Sequence, residues 1–141
     1  MKQIIVEVAW KNSAFYGTVF NEFGYGELRI IDQDFCNFAD SVRSSIGIGI
    51  EKWVKLGNEI PDWYFYGEYE VVYNYSNMAC MLKAYTSYVS LAAISRVTGI
   101  NQTLLSHYAN GLKLPRRKQR EHIILGLHKI GAELKGAACA Y

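Results

Sequence analysis

The sequence predicts an α+β fold in which a β-β-β-α-β domain precedes an all-α domain. A change of hydrophobic period along the chain carries this prediction. Apolar residues alternate with a period of two in short stretches of the first part, and they recur every three or four residues in the last part. The charge also differs between the two parts, which suggests two partners of opposite sign: residues 1–85 carry seven Lys or Arg against eleven Asp or Glu, whereas residues 86–141 carry eight against two. We place the domain boundary so that the domains are 1–77 and 78–141.

Composition narrows the class of protein. The length of 141 residues fits one ordinary domain or two small ones. Half of the residues are apolar and a fifth are charged, which is typical of a globular chain. No apolar run reaches the ~18 residues of a membrane span, and the start, MKQIIVEVAW, does not read as a signal peptide. Three scattered cysteines without a CxxC pair argue against disulfides or zinc. We therefore expect a cytoplasmic protein with no membrane contact.

Three short strands are predicted at the start of the chain. β-Branched apolar residues dominate the first, from Lys2 to Trp10. Ala14 to Phe20 and Glu27 to Ile31 alternate as strands do. Because the connections at residues 11–13 and 21–26 are short, we expect an antiparallel meander.

A long amphipathic helix is predicted next, since apolar residues step by three and four from Asp32 to Leu56. Within it, residues 46–50 read IGIGI and alternate like a strand, but the flanking helical pattern outweighs them. We expect the two glycines to allow close packing against a sheet or a partner. Residues 57–67 are interpreted as an ordered loop, and residues 68–75 as the fourth strand.

Residues 90–111 carry the signals of a helix-turn-helix, the motif that lays its second helix in the DNA major groove. Leu91, Ile94 and Val97 recur three residues apart, which indicates a buried stripe on the first helix. A helix-stopping glycine, an apolar turn residue and a capping asparagine follow at the required spacing. A plain αα-hairpin packed on a core is the alternative. The residues predicted to hold the motif are Ile94, Gly99, Ile100, Asn101, Leu105, Tyr108 and Gly111.

Two sets of polar residues around the second helix favour DNA over the plain hairpin. Its outward face carries four short or polar side chains able to bond base edges: Gln102, Thr103, Ser106 and His107. A basic segment follows, whose predicted phosphate-binding residues are Lys113, Arg116, Arg117, Lys118 and Arg120. A solvated helix start is the alternative for this segment. Arg96, on the first helix, is a weaker candidate.

Two further helices are predicted around the motif. A short one begins at Asn77. The last runs from Gln119 to Leu134, and its apolar stripe consists of Ile123, Ile124, Leu127, Ile130 and Leu134.

The sequence lacks three common catalytic motifs: it has no GxxxxGK[ST] loop, no HExxH motif and no GxSxG motif. Four carboxylates near the meander, Asp32, Asp34, Asp40 and Glu51, leave a Mg²⁺-dependent nuclease on a ribonuclease-H-like sheet as an alternative. We interpret Asp34 as a helix cap and the other three as a solvated face. We therefore predict no enzymatic activity, no metal and no cofactor.

Eight aromatic residues lie between Trp53 and Tyr75. They either fill a thin core or form a protein-binding surface, and an acidic aromatic surface suits a basic partner. The predicted partner-binding residues are Trp63, Tyr64, Tyr66 and Tyr69.

Three stretches make the chain resemble HicB-family antitoxins with a C-terminal helix-turn-helix: IIVEVAW, GEYEVVYNYS and AISRVTGINQTLLSHYANGLKLPRRKQREHIILGLHKIGAEL. The resemblance implies a partial ribonuclease-H-like front domain that clamps a small mRNA-cleaving HicA toxin. It also implies a lambda-repressor-like rear domain that acts as a homodimer or homotetramer on double-stranded DNA and represses its own operon. A "PDLPGC"-like signature usual in HicB proteins is missing between Ser13 and Asp62. A stand-alone regulator without a toxin is therefore the alternative.

Overall fold

The computed structural model describes residues 1–20 and 27–140, so the turn predicted at 21–26 lies outside the described residues. The described chain has an α+β fold and divides into two compact units, Met1–Cys80 and Met81–Tyr141. The strands are β1 (Lys2–Lys11), β2 (Ala14–Phe20), β3 (Glu27–Asp32) and β4 (Tyr69–Tyr75). The helices are α1 (Phe35–Lys55), α2 (Asp62–Phe65), α3 (Met78–Tyr85), α4 (Leu91–Thr98), α5 (Gln102–Ala109) and α6 (Arg117–Lys135). The division between the units falls inside α3.

One mixed sheet with the strand order β3-β2-β1-β4 forms the first unit. β1 pairs with β2 and β2 with β3 in antiparallel fashion, as the predicted meander requires. The β1–β2 turn has positive φ at both Asn12 and Ser13, 51° and 58°, which suits the right-handed twist of a two-residue hairpin. β4 returns parallel to β1, with Val6 opposite Tyr73, and α1 belongs to the crossover that this pairing needs.

The core of the first unit lies between the sheet and α1. Burial alternates in the middle of β1: Val6 and Val8 are buried and face the helix, whereas Ile5 and Glu7 are exposed. Phe38 of α1 is fully buried, and the Phe15 and Phe35 rings lie 5.4 Å apart, edge to face. These large aromatic side chains bury apolar surface between the helix and the sheet.

The predicted cap of α1 is confirmed, whereas the loop after the helix differs from its predicted form. The Asp34 carboxylate accepts a hydrogen bond from the Asn37 amide at 3.0 Å, so the helix proper begins at Phe35. The predicted loop contains α2, because Pro61 at φ −59° is already set for a helical turn and Gly67 at φ 68° ends it. The neighbour of Gly47 is α2 and not the sheet or a partner as predicted: a Cβ there would lie 3.4 Å from the Tyr64 hydroxyl.

The second unit is all-helical around Ile94, Leu105 and Ile123, none of which is exposed. Two predicted core positions are wrong. Val97 is 38% exposed, because Ile94 and Thr98, four residues apart, form the buried face of α4. Leu134 is 65% exposed near the end of α6. None of the helices described is long and apolar enough to cross a bilayer.

Candidate nucleic-acid interface

The ends of α4 are defined by the capping residues that flank it, Ser90 and Gly99. The Ser90 hydroxyl accepts a hydrogen bond from the Ala93 amide at 3.0 Å and so caps the first turn. At the other end, the Gly99 amide donates to the Ser95 carbonyl at 2.8 Å, and Gly99 adopts a φ of 73°. A residue with a Cβ is strained in this left-handed conformation, which is why a glycine stops the helix here.

Side-chain hydroxyls hold both backbone groups of Ile100, at the centre of the turn between α4 and α5. The Ser95 hydroxyl donates to the Ile100 carbonyl at 2.6 Å, and the Ile100 amide donates to the Thr98 hydroxyl at 3.2 Å. Thr98 Oγ1 also donates to the Ile94 carbonyl at 2.7 Å. Because the Ile100 side chain is only 6% exposed, these bonds replace the water that its backbone loses.

Sequence reasoning missed Ser95 and Thr98. A hydroxyl residue directly before a helix-ending glycine is the signal that could have found Thr98, since short hydroxyl side chains bond nearby backbone. Ser95 has no comparable signal, because its partner Ile100 lies across the turn.

Both ends of α5 are also capped. Asn101 Oδ1 accepts from the Thr103 amide at 2.8 Å, one of the two amides expected for this cap. At the other end the Leu112 amide donates to the His107 carbonyl at 2.9 Å and the Gly111 amide to the Tyr108 carbonyl at 3.2 Å. With Gly111 at φ 73°, this is the paired pattern of a Schellman motif. The length and direction of α5 therefore follow from local bonds.

The four predicted base-reading residues are not equally accessible. Gln102 and Thr103, in the first turn of α5, are exposed, whereas Ser106 and His107 are half-buried. His107 was predicted to lie on the helix surface, but its Nδ1 is buried and, within the part of the chain described, has no hydrogen-bond partner. Asn110 Nδ2 donates to the Ser106 hydroxyl over a long 3.4 Å. The first turn therefore offers the free polar groups.

All five predicted phosphate-binding residues are exposed: Lys113, Arg116, Arg117, Lys118 and Arg120. They do not all face the same surroundings. Arg117 Nε lies 3.1 Å from a Glu121 carboxylate oxygen, one helical turn away, so this guanidinium already pairs with a carboxylate. Arg96, the weaker candidate on α4, is exposed as well.

Three of these cations surround an open depression of about 540 Å³ between the end of α5 and the start of α6. It is lined by Tyr108, Lys113, Leu114, Arg116, Lys118 and Gln119. α6 begins two residues earlier than predicted, with no acidic residue in its first turn and no side-chain cap. Its free amides therefore add partial positive charge to that of the side chains.

The predicted partner-binding rings belong to the first unit, and three of the four pack on one another. Trp63 and Tyr64 both contact Tyr69, with ring centroids 5.5 and 5.9 Å apart, and all three are half-buried. Only Tyr66 is exposed, at 67%. Phe65, which was not predicted, is 69% exposed beside it.

The four carboxylates considered as metal ligands have different surroundings. Asp34 caps α1, and Asp32 accepts from the Asp34 amide at 2.8 Å. Asp40 lies 3.5 Å from Arg43 on the exposed side of α1, and Glu51 is exposed in a later turn. Across residues 1–20 and 27–140, no group of three or more His, Cys, Asp or Glu is placed to hold a metal ion.

Comparison with known proteins adds no relative: no family model, no curated protein and no solved structure matches the chain.

Proposed function

We propose that the protein is a DNA-binding transcriptional repressor whose residues 90–111 act as a helix-turn-helix in a lambda-repressor-like second unit. The observation that carries the proposal is the turn at Ile100, tied on both sides by hydroxyls, with a capped α5 directly after it. Such a turn gives α5 a defined exit direction, which a helix inserted in the major groove needs. Exposed Gln102 and Thr103 in the first turn are then the base readers.

Charge supports the same proposal. The second unit carries nine Lys or Arg against two Asp or Glu. The depression lined by Lys113, Arg116 and Lys118 begins directly after α5. If α5 lies in the major groove, the DNA backbone beside that groove would pass this position. Phosphate contacts of this kind supply much of the affinity of DNA-binding proteins, and base contacts supply the specificity.

Selection of duplexes from a randomised library, followed by fluorescence anisotropy at several salt concentrations, tests the proposal. We expect a preferred sequence to emerge and its affinity to fall steeply with salt. The Gln102→Ala and Thr103→Ala variants should lose discrimination against mismatched sites, worth about 1–3 kcal/mol for a good base contact. The Asn110→Ala variant, at the far end of α5, is the matched control. No selected sequence, or a salt slope near zero, would refute the repressor.

We further propose that the protein is an autoregulating antitoxin, with a partial ribonuclease-H-like first unit that binds a small basic HicA-like toxin. The resemblance of GEYEVVYNYS to HicB proteins supports this, as does the acidity of the unit, which has six Lys or Arg against eleven Asp or Glu. Expressing the neighbouring small reading frame with and without this protein tests it. Growth arrest relieved by the protein is expected, whereas the stand-alone regulator predicts no arrest to relieve.

A further inference from the structure

One aromatic residue of α2 and one of the turn after it are largely exposed. Phe65 and Tyr66 are 69% and 67% exposed, and their ring centroids lie 5.0 Å apart, edge to face. Ile60, five residues earlier, is 46% exposed. Isolated exposed apolar side chains are common, but three within seven residues form a local patch of the kind found at protein interfaces.

The same segment is acidic. Residues 56–82 contain four Asp or Glu and no Lys or Arg. All four carboxylates are exposed, and Glu70 accepts a hydrogen bond from Gln3 Nε2 at 2.9 Å. None of the other three, on Glu59, Asp62 and Glu68, forms an ion pair within the described ranges. Lys2, at the start of β1, lies with its Nζ 5.7 Å from the Trp63 ring centroid. We call these exposed residues the α2 patch: Glu59, Ile60, Asp62, Phe65, Tyr66 and Glu68.

Backbone bonds hold the α2 patch in one shape. The Glu68 amide donates to the Trp63 carbonyl at 2.7 Å and the Gly67 amide to the Tyr64 carbonyl at 3.1 Å. The Lys2 amide donates to the Glu68 carbonyl at 3.3 Å, which ties the turn to the start of β1. A preformed surface loses less conformational entropy on binding, so exposed rings on it contribute more to affinity.

We infer that the α2 patch is a docking surface for a cationic protein segment that also presents an apolar side chain. The three carboxylates pair with Lys or Arg of the partner, and Phe65, Tyr66 and Ile60 cover its apolar group. Charge complementarity selects this class of partner, because an anionic or neutral segment would leave the carboxylates facing like charge or none. The inference extends the toxin-binding half of the proposed function and does not depend on DNA binding.

A fluorescein-labelled amphipathic peptide of Lys, Arg and Leu is the probe, titrated with the full chain. We expect saturable binding that weakens with salt. The double variants Phe65→Ser/Tyr66→Ser and Asp62→Asn/Glu68→Gln should each weaken it about tenfold or more. Matched controls on the same unit are Ile31→Ser/Ile48→Ser, which removes two other exposed apolar side chains, and Asp40→Asn/Glu51→Gln, which removes the same charge.

Four results would overturn the inference. One is unchanged binding by the patch variants, and another is equal weakening by the control pairs. A third is equal affinity for a peptide in which Ser replaces every Leu, because binding would then be charge alone. The fourth is self-association of the peptide-free chain that the patch variants abolish, since the occupant would then be a second copy. DNA affinity is measured on the same samples, so a failure of the repressor proposal is read separately from a failure of the α2 patch.

Discussion

Gly126 decides how closely α6 approaches α4. A Cβ added at this position would lie 2.5 Å from Thr98 Cγ2, which is closer than Cβ atoms approach other atoms in real structures. We therefore expect the Gly126→Ala variant to lose about 1–3 kcal/mol of unfolding free energy, the usual cost of overpacking a core. Urea denaturation followed by circular dichroism measures it.

Gly131, one and a half turns later on α6, is the matched control, because nothing lies within 4 Å of a Cβ built there. The Gly131→Ala variant should gain up to about 1 kcal/mol from helix propensity alone. If both substitutions stabilise the protein, the close approach at Gly126 is not what the structure indicates.

Thr98 supports the second residue-scale prediction. It is 6% exposed, and its hydroxyl accepts the Ile100 amide hydrogen bond. The Thr98→Val variant keeps the shape of the side chain but leaves a buried amide unpaired, which costs about 1–3 kcal/mol. Thermal melting should show a lower midpoint, whereas the Ser44→Ala control, exposed on α1, should melt like the wild-type protein. An unchanged midpoint for Thr98→Val would mean that the hydroxyl does not hold the turn.

At the scale of elements, the sequence predicted most where local chemistry decides. Asn101 caps α5, and Gly99 and Gly111 end helices, because capping and positive φ depend on neighbouring residues alone. α2 was missed because four residues are too few to show a helical period. The parallel pairing of β4 with β1 joins residues 67 apart in the chain, such as Lys2 and Tyr69, and no local pattern encodes it.

For the candidate interface, too, the sequence predicted the local features but not those that depend on tertiary packing. The exposed first turn of α5 and the basic segment were visible in the sequence. The burial of His107 Nδ1 was not, since it depends on tertiary packing. Similarly, the sequence identified an aromatic segment around α2, but only burial separates the packed rings of Trp63 and Tyr69 from the exposed ring of Phe65.

The two caps of α5 give the prediction at this scale. The Asn101→Ala variant should lose about 1 kcal/mol of unfolding free energy because an amide in the first turn loses its acceptor. The Gly111→Ala variant should lose roughly 1–2 kcal/mol because its φ of 73° is strained for a residue with a Cβ. Urea denaturation measures both. Asn110→Ala, between α5 and Gly111, is the control. If it lowered the unfolding free energy as much, the losses of the other two variants could not be assigned to the caps.

For the whole molecule, the placement of charge carries more information than its total. The formal net charge is only +2, yet the first unit has an acidic excess and the second a basic one. If the positive charge were spread evenly over the surface, removing a cation would have the same effect on nucleic-acid binding wherever it lay. Here the cations concentrate around the start of α6, so the effect of removing charge should depend on where it is removed.

Two pairs of substitutions with the same effect on net charge test this. The Arg116→Ala/Lys118→Ala variant removes two cations that line the depression, whereas Lys52→Ala/Lys55→Ala removes two exposed cations at the end of α1. We expect the first pair to weaken binding to all duplexes alike, because phosphates carry no sequence. The slope of log affinity against log salt should become shallower by roughly 0.9 for each phosphate that the variant no longer neutralises. The α1 pair should leave affinity and slope unchanged in the same anisotropy titrations. Equal losses from both pairs would show that net charge, and not a phosphate-binding surface on the second unit, drives association.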